Sequence, residues 1–163
     1  MINSENIETL KQVPIFKDLR SDIIALILEN STLVSKQTGD YFFREKDLAD
    51  RMYVLRSGVV EVTRNWNHRT YHITKMGRSD CFGEMAIVDQ QTRSANVRAL
   101  SSCEAIELSL DAVQAIYQLD LKQYAILQSN LAKEVSRRLR EANDLLFVAH
   151  VENEKNDVFF HSS

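Results

Sequence analysis

The sequence predicts a mainly β protein: an antiparallel β-barrel of the jelly-roll kind, preceded by short helices and followed by a long one. Three observations carry that expectation. Between about residues 31 and 110, short apolar segments are separated by turn signals at Gly39-Asp40, Ser57-Gly58, Asn65-Trp66-Asn67, Gly77 and Ser101-Ser102. That rhythm suits antiparallel strands better than strand–helix–strand units. Within the segments apolar and polar residues alternate, as in Val60 and Val62 against Glu61 and Thr63, or Ala105, Ile106 and Leu108 against Glu104 and Glu107. From Leu110 onward the apolar residues recur every three or four positions, which is a helical period.

The elements follow in order. Residues 5–12 are expected to form a short helix capped by Ser4 and interrupted by Pro14. Residues 19–30 form a second, with Ser21 at its N-cap and Ile23, Ile24, Ile27 and Leu28 on one face. Strands are expected over 31–36, 41–45, 51–58, 59–65, 69–76, 94–100 and 103–109. A helix capped by Ser109 or Asp111 follows, then a long one over 121–148. Its stripe is Leu127, Leu131, Val135, Leu139, Ala142 and Leu146. Residues 149–163 show no clear period and are expected to fray, or to dock only through Phe159 and Phe160. The whole of 1–163 reads as one domain: barrel 31–110, helices 111–148, tail 149–163.

Composition narrows the function classes. A hydrophobic content of 44% and a charged content of 26% are those of an ordinary globular chain. A net charge of −3 gives no general attraction for nucleic acid or an anionic membrane, so any anion site must be local. The basic run Ser136–Arg140 therefore reads as a solvated helix face. Too few residues follow Val148 for a helix-turn-helix, so no direct nucleic-acid binding is expected. Cys81 and Cys103 stand in no metal-binding or redox motif and read as reduced thiols, which favours a cytoplasmic setting. No signal peptide and no apolar run long enough to span a bilayer is visible. His68, His72, His150 and His161 lack metal-ligand spacing, and no nucleophile–base motif occurs, so neither a metal nor an enzymatic activity is expected.

One stretch departs from strand alternation: Phe82-Gly83-Glu84-Met85-Ala86-Ile87-Val88, followed by Arg93-Ser94-Ala95-Asn96-Val97. A short helix beginning near Glu84 would leave the N–H groups of Glu84, Met85 and Ala86 open, and such a terminus attracts phosphate. Gly83 lets a ligand approach the backbone. Arg93 offers a planar fork for two phosphate oxygens, and Ser94 adds a hydroxyl. Glu84 repels phosphate but suits a pair of sugar hydroxyls. A surface ion pair between Glu84 and Arg93, beside a plain turn glycine, accounts for the same residues.

These residues resemble the phosphate-binding cassette of cyclic nucleotide-binding domains, the family found in catabolite-activator-type regulators, cyclic-nucleotide-dependent kinases and gated channels. The pattern Phe-Gly-Glu-apolar-Ala, a short gap and Arg-Ser-Ala-x-Val is met by Phe82–Ala86 and Arg93–Val97. The similarity extends over about 13–147, through Gly39-Asp40, Tyr53-Val54-Leu55, Gly58 and the helix around 131–145. Ser79 and Thr92 stand where the family often has glycine and proline, and Asn96 where it often has threonine. The resemblance implies that Arg93 and Ser94 bind the cyclic phosphate, assisted by backbone N–H groups of Met85, Ala86 and Ala95. It implies that Glu84 takes the ribose 2′-hydroxyl, that Val62 and Ile73 line the base pocket, and that Asn143 contacts the base edge. The ligand would be cAMP, with cGMP the alternative, and no further cofactor is implied.

The resulting expectation is a regulatory sensor that signals through its long helix. The alternatives are a structural or interaction module with a degenerate pocket, or a regulatory piece of a larger complex. A helix of ~28 residues is ~42 Å long, more than one domain of this size covers. A homodimer through 121–148 is expected to bury its outer half.

Overall fold

The computed structural model describes the backbone of residues 4–160 and the side chains of residues 5–153. Among the described residues, eight strands form two four-stranded antiparallel sheets. One has the order β1 (Ser31–Lys36), β8 (Cys103–Ser109), β3 (Arg51–Ser57), β6 (Cys81–Phe82). The other has the order β2 (Tyr41–Phe43), β7 (Asn96–Ala99), β4 (Val60–Trp66), β5 (Arg69–Met76). The two sheets stay separate and do not close into one continuous barrel, and the arrangement is the jelly-roll kind expected. Alternation along a strand specifies an inner and an outer face, and a sandwich satisfies it as well as a barrel does.

The first sheet is buried on both faces. Met52 and Val54 of β3, and Ile106 and Leu108 of β8, join a core shared with the helices. Their strand neighbours Tyr53, Leu55, Ala105 and Cys103 point into a second core between the sheets. This double burial is why β3 reads as an apolar run, with little alternation. Each fully buried Leu or Ile in these cores contributes about 1.5–3 kcal/mol of hydrophobic stabilisation before chain entropy is counted.

The helices are α1 (Ser4–Lys11), a 3-10 turn (Pro14–Phe16), α2 (Ser21–Glu29), α3 (Met85–Asp89), α4 (Leu110–Leu119) and α5 (Leu121–Phe160). The four isoleucine and leucine positions expected on one face of α2 are all buried. Its cap differs from expectation: Arg20 occupies the N-cap, and Ser21 already lies inside the helix. The Arg20 carbonyl accepts from Ile23 and Ile24, so the helix starts one residue early. Asp120 caps α5 by accepting the N–H groups of Lys122 and Gln123 at 3.0 and 3.1 Å. Asn130 of α5 is buried and donates to the Ile15 and Lys17 carbonyls at 3.2 and 2.7 Å, tying this part of the helix to the 3-10 turn.

The chain packs as two compact units, Met1–Leu131 and Ala132–Ser163, with α5 continuous through the division. In the second unit Leu139, Leu145, Leu146, Phe147 and Val148 are exposed. The helix does not stop near 148: its backbone runs to Phe160. Residues 149–160 contain no proline or glycine to end it, and the Glu and Lys residues there propagate a helix without an apolar stripe. The expected docking of Phe159 and Phe160 concerns side chains outside the described residues. No described helix is long and apolar enough to cross a membrane.

Candidate nucleotide-binding site

The loop from β6 to β7 builds the site. Glu84 occupies the N-cap of the five-residue helix α3, where the loss of strand alternation predicts a helix start. Gly83 immediately before it has φ +76°, a left-handed conformation that glycine adopts without a Cβ clash. A Cβ at this position would lie 2.7 Å from Arg93 Nη1 and 3.3 Å from both the Arg51 carbonyl and Phe43 Cε1. The missing side chain is thus the space into which Arg93 fits.

Arg93 is buried, only 6% exposed. Its Nη1 donates to the Gly83 carbonyl at 3.3 Å and its Nη2 to the Arg51 carbonyl at 2.7 Å. The guanidinium carbon lies 4.0 Å from the centroid of the Phe43 ring. Its Nε is buried without a hydrogen-bond partner among the described residues. Burial lowers the Arg93 pKa from the ordinary arginine range, and the charges of Asp50 and Asp47 oppose that effect. An arginine so far from water, met by carbonyl dipoles and a π face, is pre-positioned for an anion.

The backbone fixes this geometry. Lys46 donates to the Arg93 carbonyl at 2.8 Å, and Arg93 donates its own N–H to the Asp47 carbonyl at 2.9 Å. Lys46 holds φ +74° to make that pairing. Behind the loop, buried Asn96 accepts the Glu45 N–H at 3.0 Å and donates to the Thr63 carbonyl at 3.3 Å. Asn96 thereby anchors the end of the cassette to β4 and to the residues after β2.

Gly83, Glu84, Met85, Ala86, Arg93, Ser94 and Ala95 thus come together in one loop. Glu84 is 4% exposed, which removes the surface ion-pair reading. Ser94 and Met85 are exposed; Ala86 and Ala95 are buried. One detail departs from expectation: the Ala86 N–H is not open but donates to the Gly83 carbonyl at 3.2 Å, because the chain already turns there. Val62 is half-buried on β4, opposite Thr74 and Val97. Ile73 on β5 is the extra residue of a register shift and is 49% exposed. Asn143 lies exposed on α5 in the second unit. Ser79 takes φ +69°, the conformation glycine would supply there.

Phe43 and the Arg51 carbonyl are the parts that sequence reasoning missed. A register shift between Tyr41 and Phe43 accompanies the packing of both Phe42 and Phe43 against the inter-sheet core, and alternation cannot reveal it. Phe42, Tyr53 and Phe82 extend the aromatic floor, with Tyr53 and Phe82 stacked at 5.3 Å. Burial, with help from Glu107, pushes the Tyr53 hydroxyl up to about 12, so it stays neutral.

This loop falls inside a match to the family model for the cyclic nucleotide-binding domain, which spans residues 33–120. The chain belongs to that family. Among its relatives is a CRP-like cAMP-activated global transcriptional regulator of Mycobacterium tuberculosis, 29% identical over 145 residues, covering 86% of this chain and 63% of the relative. Another is a cGMP-dependent protein kinase of Drosophila melanogaster, 32% identical over 130 residues, covering 78% of this chain and 13% of the kinase. The chain thus spans less than two thirds of either relative's length. The crystal structure of the N-terminal domain of a transcriptional regulator from Streptomyces coelicolor A3(2) superposes with a TM-score of 0.69 at 27% identity, covering 85% of this chain and 94% of that one. The buried Arg93 and the Gly83 that makes room for it both lie within the residues that the family model matches.

Proposed function

We propose that the chain is a cytoplasmic sensor that binds a cyclic nucleotide, cAMP in preference to cGMP, and passes occupancy on through α5. The observation that carries this reading is Arg93: buried and, among the described residues, donating only to carbonyls and retaining an unpartnered Nε. Its guanidinium and the Ser94 hydroxyl bind the cyclic phosphate. Met85 and Ala95 offer backbone N–H groups, and Glu84 takes the 2′-hydroxyl. The Ala86 N–H joins them only if the ligand displaces its bond to Gly83. Val62 and Ile73 give the base apolar contact, which separates the purines poorly. Asn143 supplies the amide that reads the base edge in the bound state. The M. tuberculosis relative is described as cAMP-activated, which supports cAMP, and the Drosophila kinase keeps cGMP as the competitor.

Transmission has a physical route. Ile87 of α3 lines a small apolar cavity together with Phe16, Ile116, Leu127 and Leu131. A ligand that shifts α3 therefore repacks the residues on which the first turns of α5 rest. A helix favoured only in the bound arrangement gains differential affinity, which is what a switch requires. The exposed Leu139 and Leu146 support a homodimer through α5 as the output form.

The test is competition binding with cAMP and cGMP on the wild type and Asn143→Ala, combined with hydrogen exchange along α5. The reading expects a preference of several-fold for cAMP, lost in Asn143→Ala, because one neutral hydrogen bond is worth about 1 kcal/mol. It also expects exchange in α5 to change with ligand. Equal preference in both proteins and unchanged exchange would end the Asn143 and α5 assignments.

A further inference from the structure

The β4–β5 hairpin carries a concentration of positive charge outside the cassette. From Val62 to Ser79 the sequence has no Asp or Glu, while Arg64, Arg69, Lys75 and Arg78 all fall in that stretch of a chain whose net charge is −3. Arg64 is held by Glu45 at 3.3 Å, and His72 lies 3.7 Å from Glu61. Among the described residues Arg69, Lys75 and Arg78 have no ion-pair partner. The charge is presented by an edge: β5 ends its sheet, pairs only with β4, and is exposed from Arg69 to Lys75. A left-handed pair, Asn67 and His68 at φ +48° and +60°, closes the hairpin, and Trp66 beside it is 67% exposed. Tyr71 is 45% exposed on the same strand.

We propose that the open edge of β5 is a docking site for an acidic, extended segment of a partner protein, which adds to the sheet as a further strand. Open main-chain N–H and C=O groups give such a segment its register. Arg69 and Lys75 select its charge, because unlike charges facing each other across strands are favourable and like charges are not. Edge strands are commonly protected by lysine and a bulge. Trp66 and Tyr71 add exposed aromatic surface beside that edge, with an apolar body and a polar tip that a docked strand can cover. A single-stranded nucleic acid would use the same cations and aromatics but would leave the main-chain edge unpaired, so the peptide fits more of what the hairpin offers.

Trp66 is the single tryptophan of the chain, so its emission reports on this hairpin directly. The probe is an end-capped octapeptide of alternating Glu and Val, titrated into the full chain. Saturable change in Trp66 emission is expected, with none from the peptide carrying Lys for Glu. The double variant Arg69→Glu, Lys75→Glu should bind the acidic peptide at least roughly tenfold more weakly, with cyclic-nucleotide affinity unchanged. N-methylation of alternate residues along one edge of the peptide should abolish binding. No response from the wild type at millimolar peptide, or equal binding of the N-methylated peptide, would overturn strand addition. Tighter binding of oligothymidylate than of the peptide would overturn the choice of partner.

Discussion

The guanidinium of Arg93 rests 4.0 Å from the centre of the Phe43 ring, and that contact takes the place of a carboxylate against a buried charge. A π face holds the cation in position without neutralising it, so the charge stays available to a phosphate. Phe43→Leu keeps the apolar volume and removes the π face. It should weaken cyclic-nucleotide binding by roughly three- to tenfold, the equivalent of about 0.5–1.5 kcal/mol, with little change in thermal stability. A fluorescent cyclic-nucleotide displacement assay checks it; unchanged affinity would mean that the ring only fills space.

Gly83 is the second support of that geometry. Gly83→Ala forces a left-handed alanine, at about 1–2 kcal/mol, and pushes a methyl group to within 2.7 Å of Arg93 Nη1. That atom is the far end of a flexible side chain, so Arg93 moves and the fold survives. The expected result is a modest drop in melting temperature together with a disproportionate loss of nucleotide affinity. Loss of stability with full affinity retained would contradict the account of why glycine stands there.

Acid should weaken α5 through Glu134. Hydrogen bonds from Arg137, at 2.6 and 3.0 Å, and from Arg138 at 2.8 Å hold this buried carboxylate, and its pKa is lowered, chiefly by Arg137. A depressed folded-state pKa means that the stabilisation is present above the ordinary glutamate range and is lost as pH falls through the lowered value. Glu134→Gln should therefore cost about 1 kcal/mol at neutral pH and flatten the stability profile below about pH 4.5. Thermal unfolding monitored by circular dichroism from pH 7 to 3 measures both. Parallel profiles for the two proteins would show that Glu134 contributes nothing to acid sensitivity.

Leu139 is 59% exposed on a helix that continues far beyond it. If α5 pairs with a second copy, Leu139→Glu places like charges in the seam and should shift the protein to monomer in sedimentation at tens of micromolar. A wild type already monomeric under those conditions would remove the homodimer from the account.

Much of this was legible in the residues. Segments 31–36, 69–76 and 103–109 become β1, β5 and β8 with the expected bounds, because a turn or a change to helical period marks each end. The two-residue β6 was not visible, since Cys81 and Phe82 are too few to show a period. Glu84 and Arg93 mark the candidate site by chemical type. Phe43 does not, because its role depends on a register shift at Tyr41–Phe43 that appears only once β2 pairs with β7. The end of α5 was placed too early for a related reason: loss of the apolar stripe after Leu146 marks loss of a packing face, not loss of the helix.

The most direct measurement is calorimetric titration of cAMP into the wild type and Arg93→Ala. The account predicts saturable one-to-one binding to the wild type, weakened by ~10–100-fold or more in Arg93→Ala, since charge-assisted hydrogen bonds contribute ~1.5–3 kcal/mol each. Equal cAMP affinity in the two proteins, or no cAMP or cGMP binding to a folded wild type, would contradict it.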